Sequence, residues 1–190
     1  MILITGANGG VGREVLAAVV RRGEKVRAMY RSKKDAANVP SGAEAAIGDF
    51  ADKASLASPL RGIDSVYLVC SPIPDLVNLE SNMIEACEAA GVKRVVLSSA
   101  LGAGDYPKSF PGWHRKVEDK LKGTKMAYCI VRPNSFMQNV PAFYAASIRE
   151  SGVFYGGIGE ARLSFLHVSD IAEVIANALQ SGEHEARRTN

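Results

Sequence analysis

Three glycines recur at a spacing of three near the start of the chain: Gly6, Gly9 and Gly12, inside the stretch MILITGANGGVGRE. Residues of this type at this spacing suit the chemistry of holding a pyrophosphate. The first glycine permits a tight turn out of a strand. The second leaves no side chain between backbone and anion, and the third lets a helix pack close to the sheet. The N–H groups at the helix start then face the phosphates, where the helix dipole favours negative charge. Asn8, Gly10 and Val11 lie in the same turn and count with it as candidate contacts. A glycine turn alone can be merely structural, but the flanks here are the required ones. Met1–Thr5 reads as a buried strand, and Val15, Leu16, Val19 and Val20 share one helical face.

The end of the next strand bears on the cofactor. A carboxylate there accepts from the ribose hydroxyl of NAD. This chain instead has Tyr30-Arg31-Ser32 followed by Lys33-Lys34. A guanidinium at Arg31 suits a 2′-phosphate, which it can pair bidentately, so NADP(H) is expected in preference to NAD(H), which stays as the alternative. A solvated Arg31 opening a loop is the bland reading. Two readings also stand for Asp49-Phe50. Asp49 can accept from the adenine amino group with Phe50 flanking the ring, or it can serve as a turn residue or helix cap.

The elements that must position these groups follow from periodicity. Strands are expected over 1–5, 25–30, 43–47, 65–70, 93–98 and 126–131, with a short one over 163–166. Helices are expected after the glycine turn, over 52–60, from Leu76 to Gly91 and from Trp113 to Lys122. A partly helical stretch is expected over 134–150, and a last helix capped by Asp170. Alternating strands and helices imply an α/β protein: a Rossmann-like, doubly wound parallel sheet in three layers with strand order 3-2-1-4-5-6. The ligand crevice then lies at the carboxyl ends of strands 1 and 4, where the order reverses. No repeat, low-complexity tract or linker divides the 190 residues, so one dinucleotide-binding domain over 1–190 is expected.

Composition narrows the class. The chain is 47% hydrophobic and 23% charged with a formal net charge of +3, so neither nucleic acid nor an anionic membrane is an expected partner. With no transmembrane-length run or signal peptide in the sequence, a cytoplasmic protein is the default. Cys70, Cys87 and Cys129 read as buried free thiols. His167 and His184 have no partner at metal-ligand spacing, and no metal site is expected.

The stretches ITGANGGVG, VRAMYR, Gly48-Asp49, AGVKRVVLSSA (90–100), RPNSFMQN (132–139) and VSDIA (168–172) together resemble the NmrA-like, atypical branch of the short-chain dehydrogenase/reductases. The resemblance runs from residue 1 to about 182. It implies NADP(H) binding through Gly6, Gly9, Gly12 and Arg31, with Ser71 and Pro72 beside the nicotinamide half. It also implies activity of the kind found in quinone oxidoreductases and triphenylmethane or azo-dye reductases, or else regulation by a dinucleotide-binding protein without turnover. Many members continue with a substrate lobe, which here is expected to be reduced or truncated. A homodimer is compatible with the resemblance.

Two departures shape the chemistry. Short-chain dehydrogenases usually carry Tyr-x-x-x-Lys in the helix after strand five. Anchored on Glu118, the lysine position holds His114 and the tyrosine position Phe110, while Ala100 stands where a catalytic hydroxyl should fall. Tyr106 is nearby at the wrong spacing. In size and in lacking the tyrosine, the chain is similar to the compact flavin-reducing biliverdin reductases. Without the tyrosine, alcohol–ketone interconversion is disfavoured. Conjugated acceptors such as quinones and flavins remain, because they delocalise the incoming charge and need positioning more than a matched acid. The expected lining is Ser98, Ser99, Leu101, Phe110, Phe136 and Met137; the last two also read as simple core. His114 is the candidate catalytic group, able to donate a hydrogen bond or, titrating near neutrality, a proton. A surface histidine is its other reading. Asn134 can bind the nicotinamide carboxamide or cap the following helix, and Glu118 reads as a solvated helix residue.

Overall fold

The computed structural model describes residues 1–105, 109–155, 159–160 and 162–186, so Tyr106 lies outside the described residues. Six strands form one parallel sheet: β1 (Ile2–Ile4), β2 (Val26–Tyr30), β3 (Ala43–Ile47), β4 (Ser65–Leu68), β5 (Arg94–Ser98) and β6 (Ala127–Val131). Their order is β3-β2-β1-β4-β5-β6, and every pairing is parallel. All of β1 is buried because the pleat sends Ile2 and Ile4 to one face and Leu3 to the other, and both faces are covered.

Helices α1 (Gly10–Arg21) and α6 (Val168–Gln180) cover the first face, where Val15, Leu16 and Val19 meet Ile171, Ile175 and Leu179. Helices α3 (Leu76–Ala89) and α4 (Phe110–Lys122) cover the second, packing Met83, Ile84, Val117 and Leu121 against Val66, Leu68, Val95 and Leu97. A short α2 (Lys33–Ala36) begins at Ser32, whose hydroxyl accepts from the Asp35 N–H at 3.1 Å. Beyond β6 the chain forms β7 (Ser135–Phe136), α5 (Asn139–Ser151) and β8 (Phe165–Leu166), with β7 and β8 paired in parallel as a small separate ladder.

The structure trims and corrects several expectations. The helix expected over 52–60 is a single 3-10 turn, Lys53–Leu56, started by the Asp52 carboxylate, which accepts from Ala54 N–H at 3.1 Å. The last helix starts three residues earlier than expected, at Val168. Its cap is His167, whose Nδ1 accepts from the Ser169 N–H at 3.2 Å, while Asp170 falls in the first turn. Only Cys87 is a buried thiol; Cys70 and Cys129 are half-buried at strand ends and edges. Among the described residues no helix is long and apolar enough to cross a membrane.

Candidate functional site

The turn after β1 is built so tightly that glycine is obligatory. Gly6 has φ +58°, and a Cβ there would stand 2.8 Å from Val69 Cγ1. Gly9 donates its N–H to the Gly6 carbonyl at 2.8 Å. A Cβ on Gly12 would lie 2.1 Å from that same carbonyl oxygen, so α1 can press against the turn only through a glycine. Gly10, by contrast, faces open space. Helix α1 has no side-chain cap and no acidic residue in its first turn, which leaves its first N–H groups available to an anion. Thr5 fixes the neighbouring strand end: its buried hydroxyl donates to the Tyr67 carbonyl at 2.9 Å and accepts from the Val69 N–H at 3.0 Å.

Two clefts open at the carboxyl end of the sheet. The first, about 170 Å³, is lined by Gly6, Asn8, Gly9, Arg31, Asp49, Phe50 and Ser71, with Met29, Ile73 and Leu79. Arg31 is exposed at its mouth, and among the described residues no hydrogen bond or ion pair holds it. Asp49 has a turn role, since its Oδ1 accepts from the Ala51 N–H at 2.9 Å, yet it still borders the cleft. Phe50 is mostly core, packed with Leu56 and Leu60.

The second cleft, about 440 Å³, is lined by Val11, Pro72, Ser98, Ser99, Ala100, Leu101, Phe110, His114, Asn134 and Phe136, and also by Pro133, Ser135, Asn139 and Phe143, which the sequence reading did not single out. Val69 and Cys70 line both clefts, so the exit of β4 is their common wall. Met137 is not part of the lining: it follows the last residue of β7 and is half exposed. Gly10 and Gly12 line neither cleft. Asn134 is no helix cap, since α5 starts at Asn139 behind Gln138. A larger open groove, about 740 Å³, runs along the outer edge by β3, lined by Arg27, Glu44 and several alanines. It shares no lining residue with the glycine turn.

The greatest correction concerns Glu118, which is not solvated. Its side chain is fully buried, and it gathers Ser99 Oγ at 2.6 Å, Arg132 Nε at 2.7 Å and Lys122 Nζ at 3.3 Å. Burial alone would raise its carboxyl, but the hydrogen bonds from Arg132 and Ser99 and the charge of Arg132 outweigh it and hold the group down at about 2. Glu118 thus joins the end of β5, helix α4 and the end of β6, all three of which border the second cleft. One helical turn earlier His114 is buried, its ring meeting Phe110 edge-on at 4.7 Å between centroids. Burial lowers its pKa below the usual value while Glu118 pulls the other way, so the imidazole is neutral at pH 7 rather than poised to deliver a proton. Its Nδ1 has no hydrogen-bond partner among the described residues.

The fold and this turn define a dinucleotide-binding α/β protein: the Cβ-free cradle at Gly6, Gly9 and Gly12 and the uncapped helix start fit a pyrophosphate. The chain belongs to the NAD(P)H-binding family, which it matches over residues 6–182. It is similar to the NAD(P)H azoreductase of Xenophilus azovorans, at 34% identity over 187 residues, covering 97% of this chain and 65% of the relative. It is similar also to quinone oxidoreductase 2 of Escherichia coli, at 28% identity over 98% of this chain and 66% of the relative. Among solved structures, the NADPH-dependent quinone oxidoreductase of E. coli in complex with NADPH superposes with a TM-score of 0.89 at 28% identity, over 97% of this chain and 66% of that one. The triphenylmethane reductase of Citrobacter, complexed with NADP(H), shares the fold with a TM-score of 0.87 at 20% identity, over 97% of this chain and 67% of that one. The chain thus spans about two-thirds of the length of these curated relatives.

Proposed function

We propose that this protein is an NADP(H)-dependent reductase that passes hydride to quinones, flavins, azo compounds or similar conjugated acceptors. The observation that carries the reading is the pair of clefts meeting at Val69 and Cys70, with Phe110 and His114 occupying the places of the tyrosine and lysine of an alcohol-handling site. On this reading residues 1–190 act as one dinucleotide-binding unit, and β7, α5 and β8 supply the substrate side.

The bound cofactor would supply the hydride; the chain's own residues do the rest. The glycine turn and the first N–H groups of α1 hold the pyrophosphate. Arg31 takes the 2′-phosphate, Asp49 and Phe50 border the adenine, and Ser71, Pro72 and Asn134 flank the nicotinamide half. Phe110, Phe136 and Leu101 present a flat apolar wall to a conjugated acceptor and exclude water. His114, neutral and with an unpartnered Nδ1, donates a hydrogen bond to the acceptor oxygen or nitrogen as charge develops there. Glu118 holds the three elements of the cleft in register without touching the reactants.

The test is calorimetric titration of NADP(H) and NAD(H) into the purified chain, followed in the same buffer by oxidation of the bound reduced form with a simple quinone and with free flavin. Turnover above the uncatalysed rate is the expected result. Tight binding with silence across a broad acceptor panel would overturn the reductase reading in favour of a dinucleotide sensor.

A further inference from the structure

Behind the wall between the two clefts sits a carboxyl that the site as described leaves unused. Glu80 lies on α3 and is fully buried, and neither of its carboxyl oxygens has a hydrogen-bond partner among the described residues. Helical spacing places it with Leu76, Met83, Ile84 and Cys87, on the face turned toward the sheet. Every companion on that face is apolar or a thiol. An unsatisfied carboxylate is among the costliest groups to bury, so a glutamate here calls for a reason.

The surroundings give one. On β4 and its exit, Glu80 faces the Cys70 backbone N–H and thiol and the Tyr67 phenol, which has Ser98 beside it; none of them closes a hydrogen bond of good geometry with the carboxyl. Burial and the charge of Glu80 push the Tyr67 phenol up and the Cys70 thiol up to about 11, so neither ionises near neutrality. On α4 the buried titratable groups are His114, which burial keeps neutral, and Glu118, which is engaged with Ser99, Arg132 and Lys122. On the 3-10 turn Lys53 pairs with Glu85 on the solvent side of α3. Among the described residues no cation compensates Glu80, and burial raises its carboxyl to about 8.

We propose that Glu80 is the proton-holding residue of the site, neutral while the reduced cofactor is bound and ionised once the nicotinamide ring, placed at Ser71 and Pro72 next in the chain to Cys70, becomes positively charged. The inference rests on the cofactor placement given under the proposed function. Reduction of a quinone consumes one hydride and one proton. A C–H bond of the reduced ring breaks with its electron pair, which forms the new bond to hydrogen on the acceptor. The ring is left more positive and the acceptor more negative by one charge each. The O–H bond of Glu80 then breaks and its proton is released, matching the one proton the acceptor anion takes up, and the carboxylate remains to balance the ring. Glu80 regains a proton from solvent when reduced cofactor replaces oxidised.

The experiment measures proton exchange on binding rather than turnover. NADP+ and NADPH are titrated separately at pH 7.5, in two buffers of different ionisation heat, and the difference in heat counts the protons released. The expected result is release of roughly half a proton on binding NADP+ and none on binding NADPH, with NADP+ affinity rising up to about tenfold per pH unit between pH 6.5 and 8. Protons exchanged by the cofactor phosphates or by His114 are common to both titrations and cancel in the comparison. In Glu80→Gln, which mimics the neutral acid, the difference between the two oxidation states disappears; Glu80→Met, of similar volume, is the second variant. Equal proton release for the two forms in the unaltered protein, or a difference that survives in either variant, overturns the inference alone. Failure of both cofactor forms to bind overturns the cofactor placement and this inference together.

Discussion

The Ser99 hydroxyl donates to Glu118 at 2.6 Å, and through that bond the end of β5 is tied to α4. Arg132 closes the same carboxylate from the end of β6, at 2.7 and 2.5 Å. Replacing Glu118 with alanine leaves Arg132 and Ser99 without their partner. Because Arg132 is partly exposed and can be rehydrated, the expected loss is about 2–3 kcal/mol rather than the full penalty of an orphaned buried charge. Urea unfolding of Glu118→Ala against the parent protein measures it, and Glu118→Gln should retain part of the loss through its remaining hydrogen bonds.

The turn gives a matched pair of glycine substitutions. Gly12→Ala drives a methyl group into the Gly6 carbonyl, a backbone atom that cannot step aside. It should cost about 1–3 kcal/mol or more and disturb dinucleotide binding. Gly10→Ala enters open space in the first turn of α1, where alanine is the better helix former, and should leave the melting temperature unchanged or raise stability by about 0.5–1 kcal/mol. Equal melting curves for the two variants would show that the close approach of α1 is not needed.

Arg31 discriminates the cofactors if it meets the 2′-phosphate. Arg31→Ala should weaken NADPH binding by about 1.5–3 kcal/mol, as expected for a lost charged hydrogen bond, and leave NADH nearly untouched. Calorimetry with both reduced forms decides, and equal losses would make Arg31 a structural residue.

The two buried glutamates titrate in opposite senses. The carboxyl of Glu118 is held near 2 in the folded chain against 4.5 in an unfolded one, so its contribution to stability is present above 4.5 and drains away as pH falls toward 2. Glu80 is raised to about 8, so its contribution is fully present below 4.5 and is lost as pH climbs to 8. Glu80→Gln should therefore gain on the parent protein with rising pH over that window, by at most about 1.4 kcal/mol per pH unit, and then level off. Thermal melts of both proteins from pH 5 to 9 would show the widening gap.

The sheet and the phosphate turn were legible in the sequence because both are written locally. Strand alternation, helical spacing and three glycines three apart need no knowledge of distant partners, and they led to the strand order and to the cradle at Gly6, Gly9 and Gly12. Glu118 was not legible in the same way. Flanked by Lys116, Asp119 and Lys120, it has the local composition of a solvated residue, and its burial depends on Arg132 arriving from the far end of the next strand. A signal did exist: 114, 117, 118 and 121 form one helical face, and Val117 and Leu121 mark that face as the inner one. The same spacing places Glu80 among Leu76, Met83, Ile84 and Cys87. A charged residue inside an apolar stripe is the pattern that deserved weight in both helices. Met137 lies just past the two-residue β7, and its half-exposed side chain takes no part in the cleft that Ser135 and Phe136 line.

On the proposed reading, the shared wall at Val69 and Cys70 has a consequence for how the two ligands communicate. A segment that borders both chambers cannot adjust to an occupant of one without presenting a changed surface to the other. Whatever cofactor binding does to acceptor affinity, acceptor binding must do to cofactor affinity by the same factor, since the two equilibria close one thermodynamic cycle. That cycle leaves the order of loading a matter of kinetics alone, and a non-reacting acceptor analogue becomes a gauge of which cofactor form is in place.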